Sequence, residues 1–151
     1  MYRIESYKDL YLESLVVLNN RFSLEEGVIP CFRSMEEKEI YKMDLHQKLS
    51  SNYLSVLMSV KSIPFGYISY CFQDDSVLIK QIYVMKSYRG RGVSRKLSEG
   101  VIKEASLKRK KKIITKVRSS NTPMIKSNQT LGFVPEGLIK SKGYTTFVKR
   151  L

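Results

Sequence analysis

The tightest constraint on the fold lies between Ile79 and Gly100, where a strand-like run meets two closely spaced glycines and then a helical repeat. Val77–Val84 is rich in Val, Ile and Tyr, which suit a pleated, half-buried surface. Arg89-Gly90-Arg91-Gly92-Val93-Ser94 follows. Val93, Leu97, Val101 and Ala105 then recur four apart, with Ile102 beside them, as on the buried face of a helix. A strand that turns through glycines into a helix leaves the first helical amides without backbone partners and lets an anion approach them closely. The helix dipole favours negative charge at the same place. Arg89, Arg91, Arg95 and Lys96 add full positive charges around it. Taken alone, the segment can equally be a plain turn carrying surface arginines.

Around this unit the remaining pattern reads in order. Tyr2–Ser6 alternates as a short strand, and Asp9 is placed to cap a helix running to about Leu18, with Leu12, Leu15 and Val16 on one face and Asn19 a further candidate for it. Phe22–Arg33 reads as a loop punctuated by Gly27 and Pro30. Ser34 with Glu37 three residues later forms a capping-box pattern, and Met35, Ile40, Met43, Leu45 and Leu49 continue a second helix. Tyr53–Val60, Phe65–Phe72 and Val77–Val84 are three strands joined by short connections, hence an antiparallel meander. Beyond the glycine loop and its helix, Ile113–Arg118 is a strand, and Thr122-Pro123 opens a helix that ends at Leu131-Gly132. Phe133–Lys140 and Tyr144–Leu151 are final strands around Ser141-Lys142-Gly143. The sum is an α/β chain with a mixed sheet, in the order β-α-α-β-β-β-α-β-α-β-β, and its 151 residues suit a single domain.

Composition narrows the function classes. Lys and Arg number 27 against 14 Asp and Glu, a net charge of +13, which favours anionic partners such as nucleotide cofactors, nucleic acid or acidic proteins. The early apolar run Leu15-Val16-Val17-Leu18 is far short of the roughly 20 residues a membrane span needs. The N-terminus lacks the apolar stretch of a signal peptide, so a cytoplasmic location is expected. Cys31 and Cys71 read as reduced thiols, and with His46 the only histidine no metal site is expected. Two other phosphate motifs do not fit. A dinucleotide fingerprint needs a third glycine where Arg95 stands, and a P-loop needs Gly-Lys-Ser/Thr.

The loop resembles that of the GNAT superfamily of N-acetyltransferases, whose pattern is Arg/Gln-x-x-Gly-x-Gly/Ala. Arg89 and Gly92 match it, and Ser94 stands where the family has Gly or Ala. The element order is the family's, and Asn121 followed by Leu131-Gly132-Phe133 looks like its next motif, so the likeness covers roughly residues 53–137. The resemblance implies a splay between the fourth and fifth strands that admits the pantetheine arm of acetyl-CoA. It places main-chain groups of Ile82 and Val84 along that arm and the Arg89, Gly90, Arg91, Gly92, Val93 and Ser94 amides on the pyrophosphate. Asn121 is the implied side-chain contact, or alternatively a helix cap.

Two pieces of the family's acid–base machinery are missing. Many members carry a tyrosine four residues before the glycine of the Gly-Phe pair. Asn128 occupies that position on the cofactor side and cannot protonate a thiolate. Val77–Val84 holds only Lys80 as a charged residue, so the usual glutamate base is absent. A thiolate with a pKa of about 8.5 leaves readily without an acid. A water chain near Gln81 or Tyr83 could take the amine proton, and Tyr144 could replace the missing acid; each can also be an ordinary sheet residue.

The expected acceptor is a primary amine on a small molecule, a protein or an aminoacyl-tRNA, the last two being acidic or RNA-linked choices that suit the charge. Lys108-Arg109-Lys110-Lys111-Lys112, with Arg118, Lys126, Lys140, Lys142, Lys149 and Arg150, is either a surface for such an acceptor or a solvated one. Glu25 and Glu26 could instead meet a cationic amine. A non-catalytic module that binds coenzyme A or nucleic acid is the alternative of a different class. Both a monomer and a homodimer are compatible with the sequence.

Overall fold

The computed structural model describes residues 1–137 and 143–151. Its strands are β1 (Arg3–Ser6), β2 (Ser55–Val60), β3 (Pro64–Phe72), β4 (Ser76–Val84), β5 (Lys112–Arg118), β6 (Val134–Pro135) and β7 (Tyr144–Arg150). The helices are α1 (Leu12–Glu25), α2 (Met35–Ser50), α3 (Val93–Leu107) and α4 (Thr122–Thr130), with short 3-10 turns at Asp9–Tyr11 and Lys86–Tyr88. The strands form one sheet in the order β1-β2-β3-β4-β5-β7-β6, antiparallel throughout except between β4 and β5. Element order and mixed sheet are those expected.

Two cores flank this sheet. Val93, Leu97, Val101 and Ala105 of α3 pack on Phe65, Ile68, Val77, Ile79 and Ile113, with Phe133 and Phe147. Leu97 and Val101 are fully buried, contributing about 1.5–3 kcal/mol each. On the other face, Leu15, Val16 and Leu18 of α1 and Leu45 of α2 pack on Val56, Met58, Val60, Tyr67 and Tyr83.

Helix α1 corrects the expectation: it runs to Glu25, seven residues past Leu18. The polar pair Asn19-Asn20 does not end it, because Asn19 is buried and its Oδ1 lies 2.6 Å from the Tyr67 hydroxyl. Phe22 then sets its ring edge-on to Tyr83, 6.3 Å between centroids. The helix stops where Gly27 takes φ +72°. Asp9 makes no cap; it opens the 3-10 turn instead. In α2 the Ser34 Oγ accepts from the Glu37 amide at 3.1 Å, as the capping pattern requires. The buried side of α2 is Leu45 with Tyr41 and Leu49, whereas Met35, Ile40 and Met43 are exposed. Strand β6 covers only Val134–Pro135; the expected continuation through Lys140 and the turn at Ser141-Lys142 fall outside the described residues.

What positions the site is a bulge. Ser69 pairs with Gln81 but Tyr70 pairs with Ile79, so Lys80 is an extra residue in β4. A bulge bends its strand and interrupts the ladder. Pairing between β4 and β5 accordingly stops at Ile79↔Thr115, although β4 continues to Val84 and β5 to Arg118. The two parallel strands diverge from that point, which is the expected splay.

Candidate active site

At the end of β4 the chain turns through Lys86–Tyr88 into the glycine loop. Gly90 and Gly92 hold φ of +78° and +77°, the left-handed region that side chains resist. A Cβ built on either glycine meets nothing within 4 Å, so packing does not require glycine here. The backbone conformation and the open space in front of it do. Among the described residues, no amide from Gly90 to Arg95 donates to another backbone group, and the first main-chain bond beyond the loop is Lys96 N to Gly92 O at 3.1 Å. Six consecutive free donors beside a helix N-terminus make a cradle that fits a diphosphate.

The cations around this cradle are differently employed from one another. Arg89 donates through Nε to the Val84 carbonyl at 2.8 Å and through one terminal nitrogen to both oxygens of Glu25, each at 2.9 Å. It therefore ties α1 to the end of β4. Arg95 pairs with Glu99 at 3.4 Å, while Arg91 and Lys96 make no ion pair among the described residues and lie over the Tyr88 and Tyr2 rings.

A cleft runs from the cradle into the splay. Its first lobe, about 430 Å³, is lined by Glu25, Tyr83, Val84, Arg89, Gly90, Gly92, Val93 and Ser94 among others. Its second lobe, about 510 Å³, is lined by Lys80, Gln81, Lys116, Arg118 and Tyr144, among others. Phe22, Glu26, Ile82, Asn121 and Met124 line both lobes, so the two are continuous. The Met85 amide donates to Phe65 O in β3 at 2.9 Å, and backbone directions alternate along a strand. The main-chain groups of Ile82 and Val84 thus point away from β3, into the gap. The Val84 carbonyl is held by Arg89, which leaves the amides and the Ile82 carbonyl for a ligand.

The side chains singled out in the sequence are distributed unevenly. Gln81 lies 2.9 Å from the Tyr67 hydroxyl, which also reaches Asn19. A hydroxyl donates one proton, so one of these amides must present its NH2 to Tyr67. Burial first and then the neighbouring Glu25 carboxylate push the Tyr83 hydroxyl pKa up, which keeps it protonated at neutral pH. Burial pushes the Glu25 carboxyl up, but Tyr83 and the Arg89 and Arg21 charges outweigh it and hold the group below the ordinary carboxylate value. Tyr144 lines the splay with the Arg118 guanidinium 5.3 Å from its ring centroid. Asn121 caps α4, its Oδ1 accepting from Met124 N at 3.3 Å, and its NH2 is left over at the cleft. Asn128 is not brought to the cleft. It is buried in α4 and lines neither lobe.

Two residues expected to meet a substrate amine are committed elsewhere. Glu25 is bound by Arg89, and Glu26 pairs with Arg118 at the end of β5. Together these pairs fasten the end of α1 across the mouth of the splay. The i, i+3, i+7 spacing of Leu15, Leu18 and Phe22 could have carried α1 as far as Phe22 from sequence alone. The basic run sits at the opposite end of β5 from Arg118. There Lys110 Nζ donates to the carbonyls of Gln73 and Asp74, closing the β3–β4 turn.

Comparison with known proteins fits this geometry. No curated protein matches the sequence. Among solved structures, the PaiA N-acetyltransferase of Thermoplasma acidophilum in complex with coenzyme A is similar, with TM-score 0.81 and 15% identity over 100% of this chain and 99% of that one. The ribosomal-protein-alanine N-acetyltransferase of Brucella melitensis gives TM-score 0.77 and 21% identity over 99% of each chain. The yncA protein of Salmonella typhimurium, solved with acetyl-CoA, gives 0.78 and 19% over 99% and 93%. These likenesses are of fold. A family model described as acetyltransferase (GNAT) domain matches residues 23–149. By that match, which takes in the cradle, the splay and both ends of the cleft, the chain belongs to the GNAT acetyltransferase family.

Proposed function

We propose that this protein transfers the acetyl group of acetyl-CoA to a primary amine. The observation that carries this reading is the continuity of the cleft from the unpaired amides of Gly90–Arg95 to the open edge of β4. A diphosphate on those amides, with Arg91 and Lys96 beside it, directs the pantetheine arm along Ile82 and Val84. The Asn121 NH2 faces the same path. The thioester then sits in the splay, where an acceptor enters from the second lobe.

In the reaction the amine nitrogen bonds to the thioester carbonyl carbon, the carbon–sulfur bond breaks, the sulfur leaves as thiolate and the amine loses a proton. A pre-oriented main-chain amide at the end of β4 is suited to the oxyanion, and holding both reactants in one cleft contributes most of the acceleration. The Tyr83 phenol is not a base itself. Its hydroxyl holds a water that takes the proton from the amine and passes it on to solvent. Gln81, steadied by Tyr67, orients that water. Tyr144 stands in the splay as the donor to the departing sulfur.

Acetyl-CoA turnover, read as thiol release against amines, peptides and aminoacyl-tRNA, tests the reading. Release with at least one amine supports it, and Gln81→Ala, Tyr83→Phe and Tyr144→Phe should each slow it. Full turnover in the first two variants would remove the proton route. A second reading, a non-catalytic coenzyme A-binding module, is favoured by Asn128 at the usual tyrosine position and by a β4 without a carboxylate. Binding of acetyl-CoA with no thiol release from any acceptor would select it.

A further inference from the structure

The acceptor end of the cleft has a sign. Within β5, Ile113 and Val117 belong to the core under α3, so Ile114, Lys116 and Arg118 face the other side of the sheet by alternation. Tyr144 and Thr146 of β7 lie opposite Arg118 and Lys116 and share that face. The core beneath α1 and α2 includes no described residue of β5, β6 or β7. Among the described residues, this part of the sheet is therefore an uncovered floor adjoining the splay, and Lys116 is exposed on it. The bulge adds Lys80, also exposed, to the lining of the same lobe.

Among the described residues, the only carboxylate lining that lobe is Glu26, and it is already paired with Arg118. Glu25, in the neighbouring lobe, is likewise held by Arg89. Lys80 and Lys116 have no such partner among the described residues. A cationic acceptor such as a polyamine would meet unneutralised lysines and no free carboxylate. An acceptor bearing a negative group would meet the reverse.

Given acetyl transfer in the splay, we infer that the acceptor amine carries an acidic group, carboxylate or phosphate, which Lys80 and Lys116 receive while the amine reaches the thioester. The lysines set acceptor choice and take no part in bond making. Attraction of this kind acts on acceptor affinity and encounter and weakens with added salt.

The test uses the full chain with acetyl-CoA and amidated peptides that differ only in charge: Ala-Gln-Gln-Ala, Ala-Glu-Glu-Ala, Ala-Lys-Lys-Ala, and one with phosphoserine in place of glutamate, with spermidine as a cationic control. Thiol release should give the acidic peptides a kcat/KM about tenfold or more above the lysine peptide at low salt. A phosphoserine peptide well above the glutamate peptide identifies phosphate as the preferred group; equality identifies acidity alone. Exchanging both lysines, Lys80→Glu with Lys116→Glu, should invert the ranking through KM while coenzyme A affinity stays as it was. The inference is overturned if the wild type prefers the lysine peptide or spermidine, if it accepts no acidic probe, or if the ranking survives the double exchange. Wild-type protein that fails to bind acetyl-CoA would instead remove the acetyl-transfer reading itself.

Discussion

Substituting Gly92 separates two jobs that this residue performs at once. Its φ of +77° costs an L-residue about 1–2 kcal/mol, whereas a Cβ there touches nothing within 4 Å. Gly92→Ala should therefore destabilise the unliganded protein by about 1–2 kcal/mol, roughly 3–6 °C in Tm for a chain of this size. Asparagine enters the left-handed region more readily, so Gly92→Asn should lose less than the alanine variant. Ligand binding should rank the other way. The side chain projects into the space before the free amides, and losing one charge-assisted hydrogen bond costs about 1.5–3 kcal/mol, roughly 10–100-fold in Kd. Coenzyme A affinity, measured by calorimetry, should thus fall more with asparagine than with alanine, while denaturation of the unliganded variants shows the opposite order. Affinities that follow stability, or that do not change, would refute the reasoning that this loop grips a ligand.

Three other perturbations probe the frame around the cleft. In Gly66→Ala the new Cβ would lie 2.6 Å from Ser59 Oγ and 2.9 Å from the Tyr83 carbonyl oxygen, so β3 and β4 must part; a loss of about 1–3 kcal/mol in urea unfolding is expected, and an unchanged midpoint contradicts the close approach. Tyr67→Phe strips the buried Asn19 amide and the half-buried Gln81 amide of their shared hydroxyl and should cost about 1–3 kcal/mol by the same measure. Glu25 has a folded pKa below its ordinary value of 4.5, so its contribution to stability is present above that value and lost as pH falls through the lower folded one. The Tm gap between wild type and Glu25→Gln should accordingly be open at neutral pH and close in acid; a gap independent of pH would show that the Arg89 clasp does not depend on charge.

The elements that were legible are those whose signal is local. The four-residue spacing from Val93 to Ala105 gives α3 its buried stripe, and every one of those residues is buried. The glycine pair marked a turn with an approachable backbone, and Gly90 and Gly92 both hold positive φ there. Ser34 and Glu37 fixed the start of α2 within one residue. The failures come from partners distant in sequence. The sequence carries α1 only to about Leu18, because the partner that holds Asn19 inside the helix's buried face, Tyr67, lies 48 positions away. Arg89 reads as a phosphate ligand until Glu25 and the Val84 carbonyl are found holding it. Met35, Ile40 and Met43 have a helical spacing but no facing surface, because α2 packs through Tyr41, Leu45 and Leu49. The splay itself depends on a single extra residue, Lys80, and a bulge is defined by the register of two strands, which neither strand shows alone.

Backbone amide resonances of the isotopically labelled protein, followed during titration with coenzyme A and then with pantetheine, address the cradle most directly. Coenzyme A should shift Gly90 through Arg95 more than any other stretch. Pantetheine, which has the arm without the diphosphate, should move Ile82 and Val84 and leave the loop in place. Equal effects of the two ligands on the loop, or none from either, would contradict a diphosphate held by main-chain nitrogen.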